Sequence, residues 1–177
     1  MVIGNPNSFS IIFEVIDEWN NPYTSFNNGI LLMTVGGTFF PREVQVSTLS
    51  RELWLLSSQL KKIVIQKELF CMSKESAFSI IYDLVHPKDI DDVYNYNYSI
   101  TPESFSDKHY YVFAVGDGEK VRILACNKLS YNADESRHSF DNLIVWESTV
   151  SIQTIESIAE NIEKAIESFR KAGDMKW

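Results

Sequence analysis

Positions 88–98 read KDIDDVYNYNY, with Asp89, Asp91 and Asp92 followed by Tyr94, Tyr96 and Tyr98 at alternate positions. Carboxylates this close together could ligate a hard cation. A calcium-loop register opened at Asp89 puts Asp91 third but Val93 fifth, Tyr94 sixth and Ile100 twelfth. Those three positions require an oxygen ligand, a glycine and a bidentate glutamate, so the calcium reading fails. The histidines, His86, His109 and His138, stand in three unrelated contexts and could form a site only if the fold brings them together. Cys71 and Cys126 match no metal or redox spacing, and apolar neighbours mark them as reduced core thiols. No nucleophile elbow is present, and Gly36-Gly37 and Gly116-Asp117-Gly118 are turns without the residues of a phosphate cradle. The sequence therefore predicts no catalytic residue, no metal site and no cofactor.

What remains is contact chemistry. From Asp89 to Asp107 there are five acidic residues, Glu103 among them, and no basic ones. In an extended segment the alternation would place Tyr94, Tyr96 and Tyr98 on one face, and tyrosine is enriched at interfaces. Two readings are open. The rings anchor a partner, or they cover the core beneath a polar edge strand while the aspartates are simply solvated. Asp134, Glu135 and Asp141 make a second acidic surface, and Glu156, Glu160, Glu163 and Glu167 read as the solvated side of a helix. The whole chain has 16 Lys and Arg against 24 Asp and Glu, a formal charge of −8. Nucleic acid demands a basic face, so it is excluded as a partner. The acidity serves solubility or a basic protein partner.

The elements that position these residues follow from periodicity. A chain of 177 residues predicts one domain spanning 1–177. No apolar run approaches membrane-spanning length and no secretory signal is visible, so the expected location is the cytoplasm. Residues 8–16 and 29–35 alternate as strands, and 38–40 open a third after Gly36-Gly37. Leu49, Leu53, Leu56, Leu60 and Ile63 mark a helix capped by Ser47 or Thr48, with Lys61 and Lys62 in its last turn. Ser73 caps a second helix over 74–85, which His86-Pro87 terminates. Asp117-Gly118 joins strands 109–115 and 120–126 through a type I′ turn, the second strand having one wet face. Residues 129–142 read as loop, 143–150 as strand and 152–171 as a helix carrying Glu160–Lys164 and Glu167–Lys171 pairs. The predicted class is α+β, a largely antiparallel sheet with three helices packed against it in a single domain.

Gly4-Asn5-Pro6-Asn7-Ser8-Phe9, running into Ser10-Ile11-Ile12-Phe13-Glu14, resembles the opening of the immunity protein 42 family. Gly29-Ile30-Leu31-Leu32-Met33, Val35-Gly36-Gly37 before Pro41, and Ser50-Arg51-Glu52-Leu53 continue the resemblance over about the first 65 residues. Leu143-Ile144-Val145-Trp146-Glu147 and the last helix add weaker support, while 86–142 matches nothing. Such proteins partner the toxins of polymorphic and contact-dependent growth-inhibition systems. The resemblance implies stoichiometric binding without catalysis, to a cognate toxin C-terminal domain that is a basic nuclease. No membrane partner is implied. The implied contacts are Asp89, Asp91, Asp92, Tyr94, Tyr96, Tyr98, Glu103, Asp107, Asp134, Glu135 and Asp141. A cytosolic acidic adaptor unrelated to toxins is the alternative.

Overall fold

A computed structural model describes residues 1–21, 27–87, 94–132 and 137–174. The chain opens with β1 (Val2–Gly4), which pairs antiparallel with β2 (Phe9–Val15), and β2 in turn pairs with β3 (Asn28–Val35). β4 (Thr38–Phe40) and β5 (Ser47–Thr48) both add to β3, completing a five-stranded sheet. Its first strand has no counterpart in the sequence pattern, which begins with the strand at 8–16. α1 (Leu49–Leu60) stops just before Lys61 and Lys62, a turn earlier than the leucine spacing predicts. A short helix that periodicity does not signal, α2 (Lys67–Cys71), precedes α3 (Lys74–Val85). α3 has the predicted bounds, and Ser73 Oγ accepts from the Ser76 N–H at 3.3 Å.

The second half begins with α4 (Glu103–Ser106). The hairpin of β6 (Val112–Gly116) and β7 (Lys120–Cys126) pairs through β7 with β10 (Val145–Ser151), making a three-stranded antiparallel sheet. At the hairpin tip Gly118 alone takes positive φ, where a type I′ turn would need two such residues. The Asp117 carboxylate accepts instead from the backbone N–H groups of Glu119 and Lys120, at 2.8 and 2.7 Å. The expected loop at 129–142 contains a small ladder of β8 (Ser130–Asn132) and β9 (Arg137–Ser139). α5 (Ile152–Asp174) closes the chain, with Ile155, Ile158, Ala159, Ile162 and Ile166 on its buried stripe. Its Glu163 pairs with Lys61 at 2.7 Å, and Lys164 reaches Asn161 in place of the expected Glu160.

The class is α+β with antiparallel sheets, as predicted, and the strands are divided among separate sheets. The two larger sheets meet where the Ser8 and Ser148 hydroxyls bond at 2.7 Å, beside the Gly36 N–H that donates to the Ser8 carbonyl at the end of the β2–β3 ladder. Gly36 has φ +56°, and a Cβ there would lie 2.8 Å from the Glu147 carbonyl oxygen, so only glycine fits the junction.

The expected wet face of β7 does not exist. Val121, Ile123 and Ala125 face a first core shared with the large sheet, α1 and α5. Leu124 and Cys126 face a second core under α3. Arg122 lies on that second face at 7 % exposure. Its guanidinium donates to the Phe70 and Met72 carbonyls and to Glu147, the last at 2.5 and 2.8 Å. A charge read from sequence as solvent-facing is buried because three acceptors converge on it.

Candidate functional site

α3 buries Ala77, Phe78, Ile81, Tyr82 and Val85, and leaves Ile80 and Leu84 on its outer face. Beyond Pro87 the described chain resumes beside the end of this helix, where the Asn95 N–H donates to the Leu84 carbonyl at 2.9 Å. Asn95 Oδ1 then accepts from the Asn97 N–H and starts a single 3₁₀ turn over Tyr96–Tyr98. The tight turn replaces the extended segment of the sequence reading and separates the three tyrosines. Tyr98 points inward, and its hydroxyl donates to Gln66 Oε1. Burial pushes that phenol's pKa up. Tyr94 and Tyr96 point outward, 45 % and 58 % exposed. Their rings stack at 5.6 Å with 10° between planes.

On the inner side, the three histidines converge. The Tyr82 hydroxyl lies 2.6 Å from His138 Nδ1, and His138 Nε2 lies 2.8 Å from His109 Nδ1. The His86 ring sits 4.8 Å from Tyr82 and 5.1 Å from Tyr111, and the Tyr131 ring stacks over His109. Desolvation, then the neighbouring His109 and His86, lower the His138 pKa to about 4. Burial lowers His86 also, and pushes Tyr111 up to about 12. His138 is therefore neutral at neutral pH. A neutral imidazole donates once and accepts once, so Tyr82, His138 and His109 form one directed chain of hydrogen bonds. No group of three or more His, Cys, Asp or Glu among the described residues has the geometry to hold a metal ion. What the chain accomplishes is positional. It ties β9 to α3 and to His109 at the entry to β6, joining segments far apart in sequence.

The predicted contact residues are distributed unevenly. Asp89, Asp91, Asp92, Asp134 and Glu135 lie outside the described residues. Tyr94 and Tyr96 are surface rings, whereas Tyr98 belongs to the second core. Glu103 is held by Arg51 of α1 at 2.9 Å, away from α3. Asp107 is exposed and close enough to Tyr111 to act on its phenol. Asp141 is exposed, accepts from Ser139 Oγ at 2.7 Å and follows Phe140, whose ring meets Tyr82 at 5.1 Å. The end of α3 thus gathers Tyr94, Tyr96, Asp107 and Asp141. Sequence reasoning misses Ile80 and Tyr131 there, assigns Leu84 or Val85 to the buried stripe, and leaves His138 dependent on the fold bringing the histidines together. Ile80 and Leu84 did carry a signal, because they stand four apart along the flank of the stripe that Phe78 and Ile81 bury.

The model for immunity protein 42 matches residues 1–165. The chain belongs to the immunity protein 42 family. The match runs through the central region, 86–142, that the N-terminal resemblance does not reach. Among solved structures, the crystal structure of CdiI from Burkholderia dolosa AUO158 aligns with a TM-score of 0.73, covering 93 % of this chain and 99 % of that one. The two sequences are 23 % identical, so this likeness establishes a shared fold. No curated protein matches the chain. The protein is accordingly an immunity protein of family 42, and no helix among its described residues is long and apolar enough to cross a membrane.

Proposed function

We propose that this immunity protein neutralises a cognate toxin by forming a stoichiometric complex with the toxin's C-terminal domain in the cytoplasm, without catalysis. The toxin belongs to a contact-dependent or related polymorphic system, and its domain is a basic nuclease. The observation that carries the reading is family membership over residues 1–165 combined with a formal charge of −8. An acidic inhibitor competes electrostatically with nucleic acid for a basic active domain. Opposite charge also speeds encounter, toward about 10⁸ M⁻¹s⁻¹ or more. The steering charges are Asp89, Asp91, Asp92, Asp107, Asp134, Glu135 and Asp141. Tyr94 and Tyr96 are the contact rings, with Tyr98 supporting them from the core and Glu103 occupied by Arg51.

The test is calorimetry against the C-terminal domain encoded by the reading frame immediately upstream, at low and moderate salt. The expected result is 1:1 nanomolar binding that weakens with salt. Tight binding insensitive to salt would keep neutralisation and remove the electrostatic interface. Absence of binding would overturn the proposal in favour of an acidic adaptor.

A further inference from the structure

Resting on that reading, we infer that Tyr94, Tyr96, Ile80 and Leu84 form one docking platform, and that its occupant is an arginine side chain of the toxin domain. Ile80 and Leu84 are 41 % and 37 % exposed on the outer face of α3. The Asn95–Leu84 hydrogen bond fixes the two tyrosines beside that face. Side chains of this size exposed together at the end of one helix are unusual on a surface with no partner.

The chemistry of the occupant follows from the rings and the surrounding charge. Parallel stacking leaves a broad aromatic face with negative quadrupole density, which attracts a cation above it. A guanidinium is planar and weakly hydrated, so it stacks on such a face with less desolvation cost than an ammonium. The aliphatic pair accommodates the methylene stem of the same side chain. Asp107, which acts on the Tyr111 phenol, and Asp141, which follows Phe140, are exposed on segments whose rings pack on Tyr82 of α3, with Lys108 as an exposed cation beside them. Lys128 is engaged by Glu43 at 3.1 Å. The scaffold is rigid at its base, because the turn that presents Tyr96 also buries Tyr98.

A second exposed apolar face provides the contrast. Trp54 and Leu55 project from α1, with Trp54 57 % exposed, but Arg51, Lys61 and Lys62 flank them. Arg51 and Lys61 are paired with Glu103 and Glu163, which leaves that face without an acidic excess. A basic toxin therefore selects the α3 end. A few rings at the centre of an interface commonly carry most of its binding energy.

The experiment measures affinity for the upstream-encoded toxin domain with wild type, Y94A/Y96A, Y94F/Y96F and W54A, each checked for native circular dichroism. Y94A/Y96A should weaken binding by about 100-fold. Y94F/Y96F keeps the stacked faces, and W54A alters the other helix, so both should stay within about threefold. Changing each exposed toxin arginine to lysine should reveal one substitution that weakens binding to wild type but adds nothing to Y94A/Y96A. The inference is overturned if wild type binds tightly and Y94A/Y96A stays within about threefold of it. It is equally overturned if W54A causes the loss, or if every arginine substitution is additive with Y94A/Y96A. No wild-type binding would overturn the toxin reading and this inference with it.

Discussion

The two cores of this molecule are built by different means. The first lies between the five-stranded sheet, one face of β6 and β7, α1 and the long helix α5. Its contents are chiefly aliphatic, with Phe9, Phe13, Phe40 and Phe105 filling the larger gaps. The second lies between the opposite face of β6 and β7 and a cover in which α3, as long as α1, is joined by short pieces: α2, the Tyr96–Tyr98 turn and the segment ending at Phe140 and Leu143. Short helices and three-residue ladders have little stability of their own. Aromatic side chains compensate, since each buries about 150–250 Å² from a single position. Phe78, Tyr82, Tyr111 and Phe113 do so here, and the polar tips among them are satisfied over long sequence distances, as in the bond from Tyr82 to His138. A frame of long elements tolerates variation because many small contacts share the load. A cover of short elements depends on a few rings and a few specific hydrogen bonds, which also lets the surface it carries be retuned by few substitutions.

The largest expected effect is on the second core itself. Phe78 is fully buried and its ring lies 5.0 Å from Phe113 and 6.4 Å from both Tyr82 and Phe140. Phe78→Ala should cost about 3–5 kcal/mol, the range for deleting a buried aromatic ring. Trp146 packs against the first core, whereas Tyr82, Tyr98 and Tyr111 belong to the second. With Trp19, Trp54 and Trp177 changed to Phe, fluorescence reports the first core through Trp146 during urea unfolding. Near-ultraviolet dichroism, to which Tyr110 of the first core also contributes, is weighted toward the second. Both should shift together in Phe78→Ala, because β7 is a wall of both cores. A dichroism midpoint that moves while the fluorescence midpoint stays in place would show that the cover unfolds alone.

The same contrast explains what the sequence made legible. α3 and the β6–β7 hairpin were readable because their signals are local: Ser73 before the apolar stripe, and Asp117-Gly118 between two apolar runs. The end of α3 was only partly readable. Tyr94, Tyr96, Asp107 and Asp141 belong to it, but the alternation through Tyr98 suggested an extended strand and hid a turn begun by Asn95. An asparagine two residues before another polar residue is an available turn signal, and the regular spacing outweighed it. Arg122 was misplaced because its burial depends on Glu147 and on carbonyls of α2, about 25 and 50 positions away. The histidine chain had no local signature, since its hydrogen bonds span separations of 29 and 56.

Acid should sharpen the comparison with a smaller effect. His138 titrates at about 4 in the folded protein against an ordinary 6.5. Between those values the unfolded chain holds a proton that the folded chain does not, so its contribution is full above about 6.5 and declines as pH falls toward 4. His86, lowered by burial, acts in the same direction. The first core contains the opposite case. Burial raises the pKa of Glu52, against the bonds it accepts from Ser104, so its contribution is present at low pH and is lost as pH rises through the raised value. Stability measured by urea unfolding should fall from pH 6.5 toward pH 4.5, values between the ordinary and folded pKa of His138. His138→Asn, whose amide can replace Nδ1 opposite Tyr82, should flatten that decline, and Glu52→Gln should steepen it. A decline unchanged in His138→Asn would show that the histidine chain does not set the acid response of the cover.

The smallest signal is the most direct test of whether the cover opens separately. Cys71 is exposed, against the core thiol that its apolar neighbours predict, while Cys126 is buried in β7 on the side facing α3. Burial pushes the Cys126 thiol up to about 12, so little thiolate exists at pH 8 even before access is considered. A thiol reagent should therefore modify one cysteine per native chain, at Cys71, and both after unfolding. In low urea the slow modification of Cys126 measures how often its side of the sheet is uncovered. Removing α3 and its neighbours would expose Cys126 without disturbing Ile123 and Ala125, which face the first core. The shared strand predicts that Cys126 reacts only at the rate of global unfolding. Faster reaction at Cys126, with the tryptophan signal still native, would make the cover a separately opening unit, and the end of α3 would then be a movable part instead of an extension of the frame.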